Sequence, residues 1–232
     1  MKKQVLIILL LLGASTAFSQ VTLGVRGGIN YANFTGSEVE EWGFANVNPT
    51  GQVKFHLGGY VDYILTDQIS VQGGIFYSAK GPKYDGTIEV YDYNSGESMM
   101  APIIFKKRLG YIDVPILLHF HLTESISVFA GPQVSFLISA KVKNDASAEV
   151  LDMLGLEEDE DVKDDYRGID LGLPIGVAYN LGNGFNIQLD YDIGLIKIAK
   201  GYDYDGGNGN DRYFNVKNGV VKLSIGYVLR ED

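Results

Sequence analysis

Apolar and polar residues alternate with period two along eight segments of this chain, a rhythm that belongs to β-strands. In the first segment Val21, Leu23, Val25, Ile29 and Tyr31 oppose Thr22, Gly24, Arg26, Gly28 and Asn30. In the last, Val221, Leu223, Ile225, Tyr227 and Leu229 oppose Lys222, Ser224 and Gly226. Segments near 54–65, 69–78, 111–121, 126–139, 169–179 and 185–194 follow the same habit. Successive strand side chains point to opposite faces, so each segment has one greasy and one polar side.

A half-buried soluble sheet alternates in the same way, and the connections separate the two cases. Only Thr66-Asp67-Gln68, Thr123-Glu124-Ser125 and Asn180 to Gly184 join segments two to three, four to five and six to seven. The other four connections are long, covering roughly 34–52, 80–108, 141–165 and 197–216. Short and long therefore alternate at all seven connections. An even-stranded outer-membrane barrel has this asymmetry, with short periplasmic turns and long extracellular loops. The fold expected is all-β: an eight-stranded antiparallel up-and-down transmembrane β-barrel. Tyr63, Phe120, Tyr179, Phe185 and Tyr227 beside the short turns, and Tyr31, Phe34, Tyr77, Tyr111 and Phe136 toward the long loops, read as two aromatic girdles.

Composition agrees. The chain holds 29 Gly and 15 Tyr but no Cys, which excludes disulfides, thiolate metal sites and the lipid-bearing cysteine of a lipoprotein. Beyond the N-terminus no apolar run approaches the roughly 20 residues of a spanning helix. Lys2 and Lys3, the apolar stretch Val5 to Leu12 and then Ala17-Phe18-Ser19 read as a cleaved signal peptide over 1–19, leaving 20–232 as the barrel domain. Loss of Lys2 and Lys3 takes the formal charge from −10 to −12, which argues against nucleic acid as a partner.

Several phrases, in order, carry a family resemblance. They are Gly73-Gly74-Ile75-Phe76-Tyr77-Ser78-Ala79-Lys80-Gly81, Tyr111-Ile112-Asp113-Val114-Pro115-Ile116-Leu117-Leu118 and Phe129-Ala130-Gly131-Pro132-Gln133-Val134, followed by Asp170-Leu171-Gly172 to Gly176 and Tyr191-Asp192-Ile193-Gly194-Leu195. Together they resemble the PorT-like family of outer-membrane β-barrel proteins over essentially the whole mature chain. The resemblance implies an outer-membrane barrel; the founding type is associated with a protein-secretion system. No catalytic motif carries over. One departure is that Tyr227-Val228-Leu229 is followed by Arg230-Glu231-Asp232, which displaces the terminal aromatic residue read by the insertion machinery.

The polar faces of the strands give the candidate functional residues. Arg26, Lys54, His56, Asp62, Asp113, His119, Asp170, Asp190, Asp192 and Lys222, with Gln72, Gln133 and Gln188, are expected to point into the lumen and pair as a polar network. The three histidines, His56, His119 and His121, are too dispersed for zinc. Ser127 or Ser135 beside His119 or His121 is a weak hydrolase signal. The acidic run from Asp145 to Asp165 is expected to be solvated, with a short helix near Ala146 to Leu156 presenting Val150, Leu151 and Leu154. Asp203 to Asp211 resembles a calcium loop but has Phe214 at its twelfth position, where Glu is needed. The loop with Tyr84, Tyr91, Tyr93, Met99 and Met100 is expected to form a hairpin above the membrane.

The expectation is a monomeric, non-enzymatic protein of the cell outer membrane, with no cofactor or metal. Its partners are outer-membrane lipid and lipopolysaccharide, and a protein at the extracellular loops, in a structural or secretion-accessory role. A small-solute channel is the alternative, and a lipid-modifying enzyme the third reading.

Overall fold

The computed structural model describes residues 21–42, 49–92, 96–201 and 212–231. The expected signal peptide and most of the calcium-like loop lie outside the described residues. Strands follow at β1 Val21–Thr35, β2 Gln52–Thr66, β3 Ile69–Lys80, β4 Lys83–Asp92, β5 Glu97–His121, β6 Ile126–Ala130 and β7 Gln133–Asp145. Then come β8 Asp159–Asp161, β9 Ile169–Gly182, β10 Phe185–Gly194, β11 Ala199–Gly201, β12 Arg212–Phe214 and β13 Lys217–Glu231.

The ring has eight strands. β1 pairs with β2, β2 with β3 and β3 with β5, while β6 and β7 share the next place as two halves of one strand. β9, β10 and β13 complete the circuit, and β13 returns to β1 from Thr35↔Lys217 down to Thr22↔Glu231. The break between β6 and β7 falls at Gly131-Pro132. Proline has no N–H for the ladder, and a Cβ at residue 131 would run into the Ile116 carbonyl, so the interruption needs glycine there.

The faces are inverted relative to a soluble barrel. Leu23, Ile29, Phe55, Ile75, Ile116, Leu189, Leu223 and Ile225 are exposed on the outer wall. Arg26, His56, Asp113, Gln133, Asp192 and Lys222 are buried. Both observations fit a wall facing hydrocarbon. The girdles need one correction. Tyr31, Phe136, Phe120, Tyr179, Phe185 and Tyr227 are exposed outside, whereas Phe34 and Tyr111 are buried inside. Both of these share the inward parity of Asn30 and Asp113.

The three short turns have local chemical causes. Thr66 Oγ1 accepts from the backbone N–H of Gln68 and Ile69, at 3.3 and 3.1 Å. Thr123 Oγ1 does the same for Ser125 and Ile126, at 3.3 and 3.0 Å. Asn183-Gly184, both with positive φ (53° and 80°), closes the β9–β10 hairpin as the primed turns that match strand twist require.

β5 is the longest strand, 25 residues, more than twice the roughly 9–11 residues that a tilted strand needs to cross a bilayer. Its upper part leaves the ring and forms an extracellular sheet in the order β4–β5–β7–β8. The expected hairpin and helix are both present. The helix Ala148–Leu154 starts at Ser147, whose Oγ accepts from the Val150 N–H, and ends on Gly155 at φ 64°. Val150 packs on Val90 and Ala101, and a second cluster joins Tyr84, Ile103, Phe105 and Val142.

The orientation of Leu223, midway along β13 and exposed, yields a test. Leu223→Arg is expected to destabilise the barrel by about 2–4 kcal/mol in urea unfolding from vesicles, the penalty of a cation at the bilayer midplane. A soluble-type barrel, whose outer wall meets water, would show almost no change.

Candidate functional site

Inside the ring the polar faces converge in tiers. The densest tier joins two lysines to two aspartates. Lys80 Nζ lies 3.0 Å from Asp113 Oδ1 and 3.6 Å from Asp192 Oδ2. Lys222 Nζ lies 3.5 Å from Asp113 Oδ2 and 3.2 Å from Asp192 Oδ2. Gln133 Nε2 donates to Asp192 Oδ2 at 2.7 Å, and Lys80 Nζ donates to Ser135 Oγ at 3.4 Å. Asp113 and Lys80 are 2% and 1% exposed, so these charges have exchanged water for one another. Beside them Asn218 donates to Asp170 Oδ2 at 2.8 Å.

Neighbouring hydrogen bonds extend the network. His56 uses both ring nitrogens, Nδ1 at 2.7 Å from Asn30 Oδ1 and Nε2 at 2.9 Å from Ser224 Oγ. Asn30 donates in turn to Ser78 Oγ and the Ala79 carbonyl. A cavity of about 40 Å³ separates this tier from Arg26, with Asp190 and Gln188 also lining it. That space suits a few waters.

Toward the periplasm the lumen opens into a vestibule of about 610 Å³. Arg26 roofs it, donating to Gln72 Oε1 at 2.7 Å with its guanidinium 4.4 Å from the Tyr60 ring centre. His119 stacks on Phe129 at 4.8 Å and lies 3.3 Å from Ser127 Oγ. Ser70 Oγ donates to Asp62 at 3.0 Å and stands 3.1 Å from His121 Nε2. Among the described residues no group of three or more histidines and carboxylates is placed to hold a metal.

The structure therefore brings Asp113, Asp192 and Lys222 into one bonded tier with Lys80. It places Asp170 beside that tier through Asn218 and His56 in a neighbouring set with Asn30 and Ser224, and sets Asp190 and Arg26 at the lower edge. His119 and Asp62 belong to the vestibule. Lys54 stands apart: the charged groups acting on it are Arg108 and Lys106, and it lines a groove on the outer wall rather than the lumen. Sequence reading missed Lys80 because it ended the third segment at Ser78. One more step of the same period reaches it.

It also missed the plug. Above the ionic tier Phe34, Leu109, Tyr111, Leu137, Tyr166, Ile198 and Val216 form a buried apolar cluster against which Trp42 packs. Trp42 meets Tyr166 edge-on at 5.2 Å, and its Nε1 donates to the Lys200 carbonyl at 3.3 Å. Val39–Trp42 is a single helical turn, and Tyr166 bridges to Ala199, so chain from three long loops folds inward over the mouth. The usable signal was isolated large apolar residues, Trp42, Tyr166 and Ile198, within otherwise polar connections.

The acidic run is folded rather than merely solvated. Glu158 pairs with Lys143 at 3.1 Å, Asp159 with Arg108 at 3.2 Å, and Asp145 with Lys106. The hydrogen bond from Lys106 holds the Asp145 carboxyl below its ordinary range, and the one to Glu158 raises Lys143. A depressed carboxylate loses its contribution as pH falls through its folded value, and a raised amine loses it as pH rises through its own. Both pairs are thus intact at neutral pH.

An inside-out ring with a polar, internally paired lumen defines an outer-membrane β-barrel protein. The sequence model of the family described as outer membrane protein beta-barrel domain matches residues 14–200, and the chain belongs to that family. No curated protein matches the sequence. Among solved structures it is similar to Ail, the attachment invasion locus protein of Yersinia pestis, at 15% identity and TM-score 0.46, over 90% of this chain and 99% of that one. Neisserial surface protein A is similar at 14% identity and TM-score 0.49, over 89% and 97%. Outer membrane protein W of E. coli follows at 13% identity and TM-score 0.40, over 90% and 98%.

Asp192 contacts both lysines and with Asp113 balances them, so Asp192→Ala leaves Lys80 and Lys222 sharing Asp113. The expected cost is about 3–5 kcal/mol in unfolding from vesicles, the usual penalty for orphaning a buried charge. Adding Lys222→Met is expected to recover part of that loss. A double variant worse than the single one would contradict the pairing.

Proposed function

We propose that this chain is a closed, non-enzymatic outer-membrane protein that acts through its extracellular sheet, docking a protein partner in surface export or secretion. The observation carrying this reading is a stopped lumen beneath a folded canopy. A barrel that conducts solute needs a continuous polar path, and here Phe34, Tyr111, Leu137, Tyr166 and Ile198 lie across it. Above them the sheet has its own apolar clusters, with Tyr91, Met99 and Met100 exposed on it and Met153 exposed on the helix beside it. Aromatic and methionine side chains are enriched at protein interfaces.

The resemblance of those ordered phrases to the PorT-like family supports a surface-assembly role, without carrying over the founding type's own secretion role. The vestibule supports the non-enzymatic part. A hydrolase relay runs from carboxylate to histidine to serine. Here Ser70 sits between Asp62 and His121, so the carboxylate orients the serine rather than the imidazole.

Two measurements test the proposal. Purified protein in a planar bilayer is expected to give no single-channel steps; steady conductance would overturn the closed lumen. Replacing residues 86–100 by a short turn is expected to preserve the mobility shift between unboiled and boiled samples while abolishing surface crosslinks to a secretion component. Undiminished crosslinks after trimming would overturn the docking role.

A further inference from the structure

On the outer wall, where the ring gives way to the extracellular sheet, lies a groove of about 510 Å³. Phe55 and Tyr77 line its membrane side, Arg108 and Lys141 its outer side, and Val53 and Lys54 lie between the two levels on β2. The order along the barrel axis follows from register. Arg108 pairs with Lys141, four residues up β5 from Ile112, which pairs with Tyr77. The apolar floor is real surface: Val53 and Phe55 are 70% and 55% exposed, and the Phe55 and Tyr77 rings stand 5.4 Å apart.

The cations are under-compensated. Among the described residues Lys54 and Lys141 form no ion pair within 4 Å, although Asp161 stands opposite Lys141 in the β7–β8 register, and Arg108 has only the half-exposed Asp159. The groups acting on Lys54, Arg108 and Lys106, are themselves cations. Like charges gathered on a chain whose net charge is −10 repel one another unless an anion sits among them.

We propose that this groove binds a phosphorylated lipid of the outer leaflet. Its phosphate sits among Lys54, Arg108 and Lys141, and an acyl chain lies along Val53, Phe55 and Tyr77. Arginine offers a planar fork that matches phosphate oxygens, and each lysine adds a point charge. The apolar half selects an amphiphile over a free anion, and its depth matches a headgroup at the membrane boundary. The site depends on the outer-membrane assignment and is independent of the docking of a protein partner.

The test uses the full barrel in zwitterionic nanodiscs, titrated with bisphosphorylated lipid A and with the same lipid after dephosphorylation. Bound lipid is counted by native mass spectrometry. Lys54→Gln with Lys141→Gln is expected to weaken retention by about tenfold or more, the effect of losing at least one charge-assisted hydrogen bond. Dephosphorylated lipid is expected to bind the unaltered protein with a similar deficit. Lys197→Gln, at an exposed site outside the groove, is expected to change nothing. Equal retention by the double variant, or of the dephosphorylated lipid, would overturn the proposal. So would displacement of the lipid by equimolar inorganic phosphate, which would mark a free-anion site instead. If the double variant fails the boiled-sample mobility shift, Lys141→Gln alone carries the test, because that side chain is exposed and, among the described residues, makes no side-chain hydrogen bond or ion pair.

Discussion

Hydrocarbon offers a peptide group no hydrogen-bond partner, so every backbone N–H and C=O at membrane depth must be satisfied within the protein. The β1–β13 seam meets this demand. It runs the full height of both strands, from Thr22↔Glu231 to Thr35↔Lys217, with one irregularity between Leu23 and Gly24. Without it the ring would be an open sheet with two unpaired edges in lipid. Once the ring is closed the rest follows. The outward residues must be apolar, the inward ones must fill a narrow space, and polarity inside is allowed only if it is paired.

That last requirement explains the interior. Lys80 and Lys222 face Asp113 and Asp192 across the lumen, tying β3 and β13 to β5 and β10. Asn30, His56, Ser78 and Ser224 carry the bonding around the wall from β1. Strands that touch only their neighbours along the ladder are thus also linked through the centre. The plug adds a second, non-polar link. Trp42, Tyr166 and Ile198 come from different loops and meet over Phe34 and Tyr111. Burying them inside the mouth removes large apolar groups from water and separates the ionic tier from the extracellular side.

The architecture was legible in the sequence because a strand's period is two and any one-residue slip inverts its faces. Segments such as Val221 to Leu229, and the strict alternation of connections, leave little else possible. Most lumen residues followed by parity, including Asp113, Asp192 and Lys222. Lys54 did not, although it has the parity of His56. Near the end of β2 a long side chain can turn from the lumen toward the outer cations. The plug and the folding of the acidic run were illegible for a different reason. They depend on contacts between distant loops, such as Arg108 with Asp159 and Trp42 with Tyr166, and no local period encodes such pairs.

The central claim is that apolar faces meet lipid and polar faces meet one another. The absence of cysteine makes this directly measurable, since single cysteines placed along β13 from Val221 to Leu229 can each carry a spin label. Collision rates with oxygen, which partitions into hydrocarbon, should be high at residues 221, 223, 225, 227 and 229 and low at the positions between them. Rates that peak instead at residues 222, 224 and 226, or that show no period of two, would contradict the account.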